Sequence, residues 1–198
     1  FIEDLKTDTA NIHRVLLFRK QKSERMDSLM LYLSSGQTKG HENELYFFGR
    51  TLIRTARFIN NDRTITQLKN SGSFRLIKND ILSSSISDYY ERKITACEEQ
   101  EEQLRRSNER LSISSARFFN YEPFDQLLSK ETTFKELTPD SIIKNNHQVC
   151  NINPSLTLLN IKPADLKLLY NDVAIKENEI NAYNAYIRWA KETAIALM

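Results

Sequence analysis

Apolar residues recur every three or four positions along the C-terminal segment 163–198. Ten positions share this spacing and form one face of a helix about ten turns long. The ten are Leu166, Leu169, Val173, Lys176, Ile180, Tyr183, Ile187, Ala190, Ala194 and Leu197. A helix cannot bury its own face, so this seam, meaning the row of core-facing positions, predicts partner helices of similar length.

Three earlier segments have the same spacing and predict helices over residues 1–35, 44–70 and 80–120. The first seam consists of Ile2, Leu5, Thr9, Ile12, Leu16, Arg19, Ser23, Met26, Met30 and Leu33. The second consists of Leu45, Phe48, Leu52, Ala56 and Ile59, with a kink expected at residues 60–62. The third consists of Tyr90, Ile94, Cys97, Glu101, Leu104, Asn108, Leu111, Ser115 and Phe118.

Three long stretches of the chain contain no helix breaker. Residues 1–35, 73–122 and 164–198 contain neither glycine nor proline, and Gly36 directly follows the first helix. Phe74, Leu76 and Ile77 are expected to form a short apolar plug before the third helix. Residues 121–162 are rich in Asn and Pro, which predicts a small helical and irregular insertion.

These elements predict one all-α domain over residues 1–198. The expected architecture is an elongated up-down-up-down four-helix bundle with coiled-coil-like seams and the insertion before the last helix. Four long antiparallel helices place both chain ends at the same end of the bundle.

Charge and length exclude some function classes. The 28 basic and 26 acidic residues nearly cancel, which gives no electrostatic case for nucleic acid binding. The sequence contains neither an apolar run long enough to span a membrane nor a signal peptide. Because the chain opens at Phe1 without an initiator Met, we expect it to be part of a longer protein.

No residue pattern typical of a catalytic, cofactor or metal site is present, and the chain is not expected to be an enzyme. His13, His41 and His147 have no metal-ligand spacing, and His13 is expected to be a partly buried structural residue. The serine cluster at residues 83–87 has no nearby histidine that would activate a hydroxyl.

Two groups of residues have alternative interpretations. The aromatic runs 46–48 and 118–119 are typical of a wide core stripe, and the alternative is an exposed patch for a partner. Tyr183, Tyr186 and Trp189 fit a membrane interface, although packing is the simpler account for most of them.

Cys97 lies in a seam and Cys150 in the insertion, so no disulfide between them is expected.

One charged residue occurs in each of three seams: Arg19, Glu101 and Lys176. At ~1.5 Å per residue, their heights above the shared lower end agree within ~6 Å. This agreement predicts a polar layer with Glu101 between the two cations. We interpret the layer as a register device, with a residual site for an anionic ligand as the second interpretation.

Two stretches resemble one family of proteins. Residues 1–8, Phe-Ile-Glu-Asp-Leu-Lys-Thr-Asp, and residues 64–77, Thr-Ile-Thr-Gln-Leu-Lys-Asn-Ser-Gly-Ser-Phe-Arg-Leu-Ile, with Leu82 and Tyr89-Tyr90, are similar to segments of a bacterial family of uncharacterised membrane-anchored proteins. The resemblance implies one transmembrane helix upstream of Phe1 and a domain on the periplasmic side of the inner membrane. It implies no activity, because the family has none assigned.

The sequence supports three hypotheses about function. The first is a non-enzymatic extracytoplasmic bundle that binds an unknown protein partner. The second is a sensing bundle that binds a small molecule between its helices, recognisable by converging polar groups. The third is a cytosolic enzyme of unrecognised type, which would require clustered titratable residues in a cleft.

Overall fold

The computed structural model describes residues 1–49, 52–122 and 157–198, and its regular elements in these ranges are all helices. The α-helices are α1 (Ile2–Ser35), α2 (Glu42–Gly49), α3 (Arg63–Asn70), α4 (Asp80–Ser87), α5 (Thr95–Phe118) and α6 (Pro163–Ala196). A 3₁₀ turn, Ser73–Leu76, lies between α3 and α4, and a π-helical segment, Asp88–Ile94, joins α4 to α5. The all-α prediction is therefore confirmed.

The long helices begin and end close to the predicted positions. Helix α1 ends before Gly36, whose φ of 67° is the left-handed conformation that terminates helices. The side chain of Asn79 accepts a hydrogen bond from the Leu82 N–H and caps α4. The helical run from Asp80 to Phe118 matches the third predicted helix, except that its π-helical segment was not predicted.

The second predicted helix, 44–70, is wrong in its middle. Helix α2 ends at Gly49, residues 54–62 form no regular element, and α3 starts at Arg63. Polar side chains of α1 bind the backbone of this non-helical stretch and so replace the hydrogen bonds that a helix would make within itself. Ile59, predicted to face the core, is consequently 67% exposed.

Burial confirms the seam of α6 and corrects that of α1. Nine of the ten predicted α6 positions are buried, and only Leu197 is half-buried. In α1 the buried positions at alternating steps of three and four are Leu5, Asp8, Ile12, Val15, Arg19, Lys22, Met26, Leu29 and Leu33. Half of the predicted α1 positions are wrong, because Thr9, Leu16, Ser23 and Met30 are half-buried and Ile2 is exposed.

The chain divides into two compact units. The first comprises Phe1–Leu16, Arg57–Gln103 and Asn181–Met198, and the second comprises Leu17–Ala56 and Leu104–Ile180. Both chain ends belong to the first unit. The predicted placement of both ends at one end of a bundle is compatible with this division. The single domain over residues 1–198 stays a prediction. Among the described helices, none has the length and apolar composition needed to cross a bilayer.

Candidate functional site

Four cations in the described part of the second unit are buried, and the three most buried are Arg19 and Lys22 of α1 and Lys176 of α6. Each is at most 3% exposed. Fully buried lysine and arginine are rare in folded proteins, because removing an ammonium or guanidinium group from water costs several kcal/mol. We call these three residues the cation cluster.

Each member of the cation cluster donates a hydrogen bond to a backbone carbonyl. Arg19 Nη2 lies 2.8 Å from the Ala56 oxygen, and Lys22 Nζ lies 2.7 Å from the Arg54 oxygen. Lys176 Nζ lies 2.6 Å from the oxygen of Leu104 and 3.1 Å from Ser107 Oγ. The cations therefore hold two segments in place: the non-helical stretch after α2 and a turn of α5.

The electrostatics at Lys22 are dominated by burial and by like charges. Burial lowers the pKa of Lys22 well below its ordinary value, and the positive charges of Lys176 and Arg19 lower it further. No carboxylate in the described part of the chain is among the charges that shift this pKa. Glu177, next to Lys176 in sequence, instead accepts a hydrogen bond from Ser23 Oγ at 2.6 Å.

The state of Glu177 supports its separation from the cluster. Its pKa is raised, first by burial and also by the negative charge of Asp27, whereas an adjacent cation would lower it. Glu177 is therefore engaged with Ser23 and lies near Asp27.

The predicted polar layer stays a prediction, although two of its three members are buried. Arg19 and Lys176 are buried and belong to the same unit. Glu101 is half-buried and belongs to the first unit, and its place between the two cations stays a prediction. Lys22 was missed because the predicted α1 seam contained Ser23 instead. Val15 and Leu29 are apolar and lie seven residues before and after Lys22. This heptad spacing could have placed Lys22 in the seam.

The first unit contains a buried acidic group on α1. Asp8 is fully buried and accepts hydrogen bonds from the Asn61 N–H at 2.6 Å and from the Tyr89 hydroxyl at 2.7 Å. Burial raises the pKa of Asp8 to about 6, although these two hydrogen bonds oppose the shift. One turn earlier, Asp4 accepts from the Thr64 N–H at 3.1 Å. Both carboxylates fix the entry to α3.

The connection between α3 and α4 exposes apolar side chains. Leu76 is 71%, Ile81 81% and Leu82 39% exposed, and Arg75 and Lys78 beside them are also exposed. We call residues 73–82 the apolar tip. The predicted apolar plug is wrong for Leu76, because the 3₁₀ turn and the short α4 leave it no core to enter.

Other predicted residues have mixed outcomes. Tyr46, Phe47, Phe118 and Phe119 are buried, which confirms their core assignment, and the rings of Phe118 and Phe119 lie 4.8 Å apart. Tyr183 is buried, whereas Trp189 is partly exposed and has the Lys93 ammonium 3.0 Å from its ring centre.

The histidine and cysteine predictions are tested only in part. His13 is exposed, so its predicted structural role is wrong: in the observed register of α1 its position points away from the core. Cys97 is buried, as predicted. His147 and Cys150 lie outside the described residues, so the absence of a Cys97–Cys150 disulfide stays a prediction.

Neither candidate site resembles a metal centre. In residues 1–49, 52–122 and 157–198, no three His, Cys, Asp or Glu side chains are grouped so that they could hold a metal ion. Comparisons of the chain with models of protein families, with characterised proteins and with solved structures find no match.

Proposed function

We propose that this chain is the extracytoplasmic domain of a membrane-anchored bacterial protein that acts by binding a protein partner and not by catalysis. The apolar tip is the observation that carries this proposal. Leu76 and Ile81 are more exposed than any other large apolar residues in the described ranges, and both lie in one ten-residue segment. Clustered exposed apolar side chains of this kind mark interaction surfaces.

The architecture that we propose is the up-down-up-down four-helix bundle. The long helices α1, α5 and α6 and the pair α2 and α3 supply its four arms, and both chain ends belong to one unit. The apolar tip and both chain ends belong to the same unit. A transmembrane helix before Phe1 would be attached to this unit. Location on the periplasmic side follows from the resemblance of residues 1–8 and 64–77 to anchored proteins.

Site-specific photo-crosslinking tests the partner. A photoreactive amino acid in place of the exposed Lys78 is introduced into the natural protein in the bacterium that makes it. We expect one discrete protein adduct, which disappears when Leu76→Ser and Ile81→Ser are combined. The matched control is Leu31→Ser, which removes an equally exposed leucine from α1 in the second unit and should leave the adduct unchanged.

Three outcomes would contradict the proposal: no adduct, adducts with lipid alone, or an adduct that survives the double substitution. The unfolding temperature distinguishes a lost partner from a lost fold. Side chains this exposed contribute little packing, so the double variant should unfold at the temperature of the parent.

The anchor and its orientation have independent tests. The coding sequence before Phe1 should encode about 20 consecutive apolar residues. Protease added to spheroplasts should digest the domain while a cytosolic marker stays intact. Survival of the domain under these conditions would reject the extracytoplasmic location.

A second candidate function is recognition of a small molecule, and the cation cluster favours it. Three cations of this unit are at most 3% exposed, which is an unusual core composition. A small molecule bound between helices requires polar groups of this kind in the core.

A further inference from the structure

The apolar tip carries more exposed positive charge than negative charge. Arg75 and Lys78 are exposed, and within the described parts of the chain neither side chain has a hydrogen bond or an ion pair. The nearby Lys69, by contrast, is paired with Glu91 at 2.8 Å. The carboxylate of the tip is Asp80, which lies in the first turn of α4, where the N–H groups of the helix stabilise negative charge. The tip therefore offers two cations that a partner could neutralise.

The apolar tip is also small. A chain spans at most about 3.5 Å per residue, so Arg75 and Ile81 lie within about 21 Å of each other. A stable interface between folded domains involves about 20–30 residues on each side, whereas the tip has ten. A surface of this size fits one segment of a partner. The exposed apolar side chains would anchor that segment, and the charges would select and orient it.

Asp80 argues against a lipid surface as the occupant. Anionic lipids would attract the two cations of the tip. However, Asp80 directly precedes Ile81, the most exposed large apolar residue in the described ranges. Insertion of Ile81 into such a membrane would bring a carboxylate against negatively charged headgroups. A second copy of the tip fits poorly as well, because it would bring two more cations to a surface that already has two.

We propose that the apolar tip binds an acidic segment of its partner protein. Apolar side chains of this segment pack on Leu76 and Ile81. Its carboxylates pair with Arg75, whose guanidinium can bind both oxygens of one carboxylate, and with Lys78, whose ammonium acts as a point charge. This inference rests on the proposed function and deepens it, because it names the chemistry that the partner must present.

Charge reversal tests the inference in the natural protein, in the bacterium that makes it. A photoreactive residue at Lys78 would remove one of the two cations, so here it replaces Ser84. Ser84 is exposed and lies three residues after Ile81, on the same face of α4. We expect Arg75→Glu combined with Lys78→Glu to lower the yield of the partner adduct at least about fivefold. Arg75→Lys combined with Lys78→Arg keeps both charges and should retain most of the adduct.

The matched control is Arg14→Glu combined with Arg188→Glu. Both residues are exposed and belong to the first unit outside the tip, and the pair changes the net charge by the same amount. We expect this control to give the adduct yield of the parent. The charge-reversal variant should unfold at the temperature of the parent, because the side chains of Arg75 and Lys78 are exposed. The unfolding temperature thus separates a lost partner from a lost fold.

Mass spectrometry of the cross-linked peptide gives an independent result. The partner segment attached at residue 84 should contain more Asp and Glu than Lys and Arg, together with apolar residues that supply the packing. A neutral or basic segment would overturn the inference, and so would an adduct with lipid or with a second copy of this chain.

The two proposals fail in different ways. An adduct that survives the charge reversal but disappears in the double serine variant overturns this inference and leaves the proposed function in place. Equal loss of the adduct in the matched control overturns the inference too, because net charge and not the tip would then decide binding. Absence of any adduct in the parent overturns both proposals.

Discussion

Four charged residues on α1 bind backbone groups within their own units. The carboxylates of Asp4 and Asp8 accept N–H groups of residues 64 and 61, and the cations Arg19 and Lys22 donate to carbonyls of residues 56 and 54. In each unit the partner residue number falls as the α1 number rises, so the stretch runs antiparallel to α1. At the residue scale, charged side chains of α1 supply backbone hydrogen bonds that the non-helical stretch cannot make within itself.

Asp8 makes stability depend on pH. Its folded pKa of about 6 exceeds the ordinary value of 3.8, because burial disfavours the carboxylate. The folded state therefore binds the proton more tightly, and the Asp8 contribution to stability is complete below pH 3.8 and is lost as the pH rises through 6. The loss is on the order of 3 kcal/mol at most.

Replacement of Asp8 by Asn tests this dependence. Asn keeps an acceptor for the Asn61 N–H but does not titrate, so Asp8→Asn should lack the Asp8 contribution to the pH profile. Urea unfolding of both proteins between pH 4 and pH 7 gives the comparison. We expect the parent to gain stability relative to Asp8→Asn as the pH falls. Parallel profiles would show that Asp8 has an ordinary pKa in the folded protein.

The register of α1 shows what limited prediction at this scale. Leu5, Ile12, Met26 and Leu33 repeat every seven residues and fix one half of the seam correctly. The remaining seam positions could follow each of these residues by three or by four. The observed set contains the charged residues Asp8 and Lys22. Its competitor, which contains Leu16 and Met30, has no charged residue and was therefore favoured by hydrophobicity. The anchors of this seam are hydrogen bonds, which periodicity does not report.

At the scale of elements, the start of α3 is capped by another helix. The side chain of Asp62, at the N-cap position, makes no capping hydrogen bond, and Asp4 of α1 binds the Thr64 N–H instead. We expect Asp4→Ala to lower the free energy of unfolding by about 1 kcal/mol, the usual value of a lost cap. The matched control Asp62→Ala should change it by less than about 0.5 kcal/mol. Urea unfolding measures both, and a larger effect of Asp62→Ala would reject capping by Asp4.

The end of α2 depends on a close contact with an aromatic ring. A Cβ at Gly49 would lie 2.5 Å from Phe119 Cζ, well inside contact distance. Gly49→Ala should therefore destabilise the protein by about 1–3 kcal/mol, as other overpacked cores do. Adding Phe119→Leu shrinks the ring that causes the clash. The double variant should then lose less stability than the sum of the single losses, and additive losses would show that the ring and Gly49 do not interact.

Element types and ends were more predictable than interruptions. Gly36, Asn79 and Pro163 are local signals, and each marks a helix end where the sequence predicts one. The non-helical stretch 54–62 has apolar spacing compatible with a helix and is held open by contacts with α1. The π-helical segment is likewise invisible to periodicity, although it brings both Tyr89 and Tyr90 into the core.

At the scale of the whole molecule, composition and spacing predicted the all-α class correctly. The arrangement of the helices stays a proposal, because periodicity identifies a buried face without identifying the helix that covers it. The anchoring model depends on this arrangement: a membrane helix before Phe1 requires the start of α1 to lie at an end of the bundle. The proposed topology also places the end of α6 there.

The distance between the two chain ends tests this topology most directly. Spin labels at the exposed residues Glu3 and Ala196, in a variant without Cys97 and Cys150, report it by double electron–electron resonance. The up-down-up-down bundle predicts a single distance distribution below about 25 Å, the width of a few packed helices. Helices of 34 residues are about 50 Å long. A distribution centred near that length would place the ends apart and contradict the bundle.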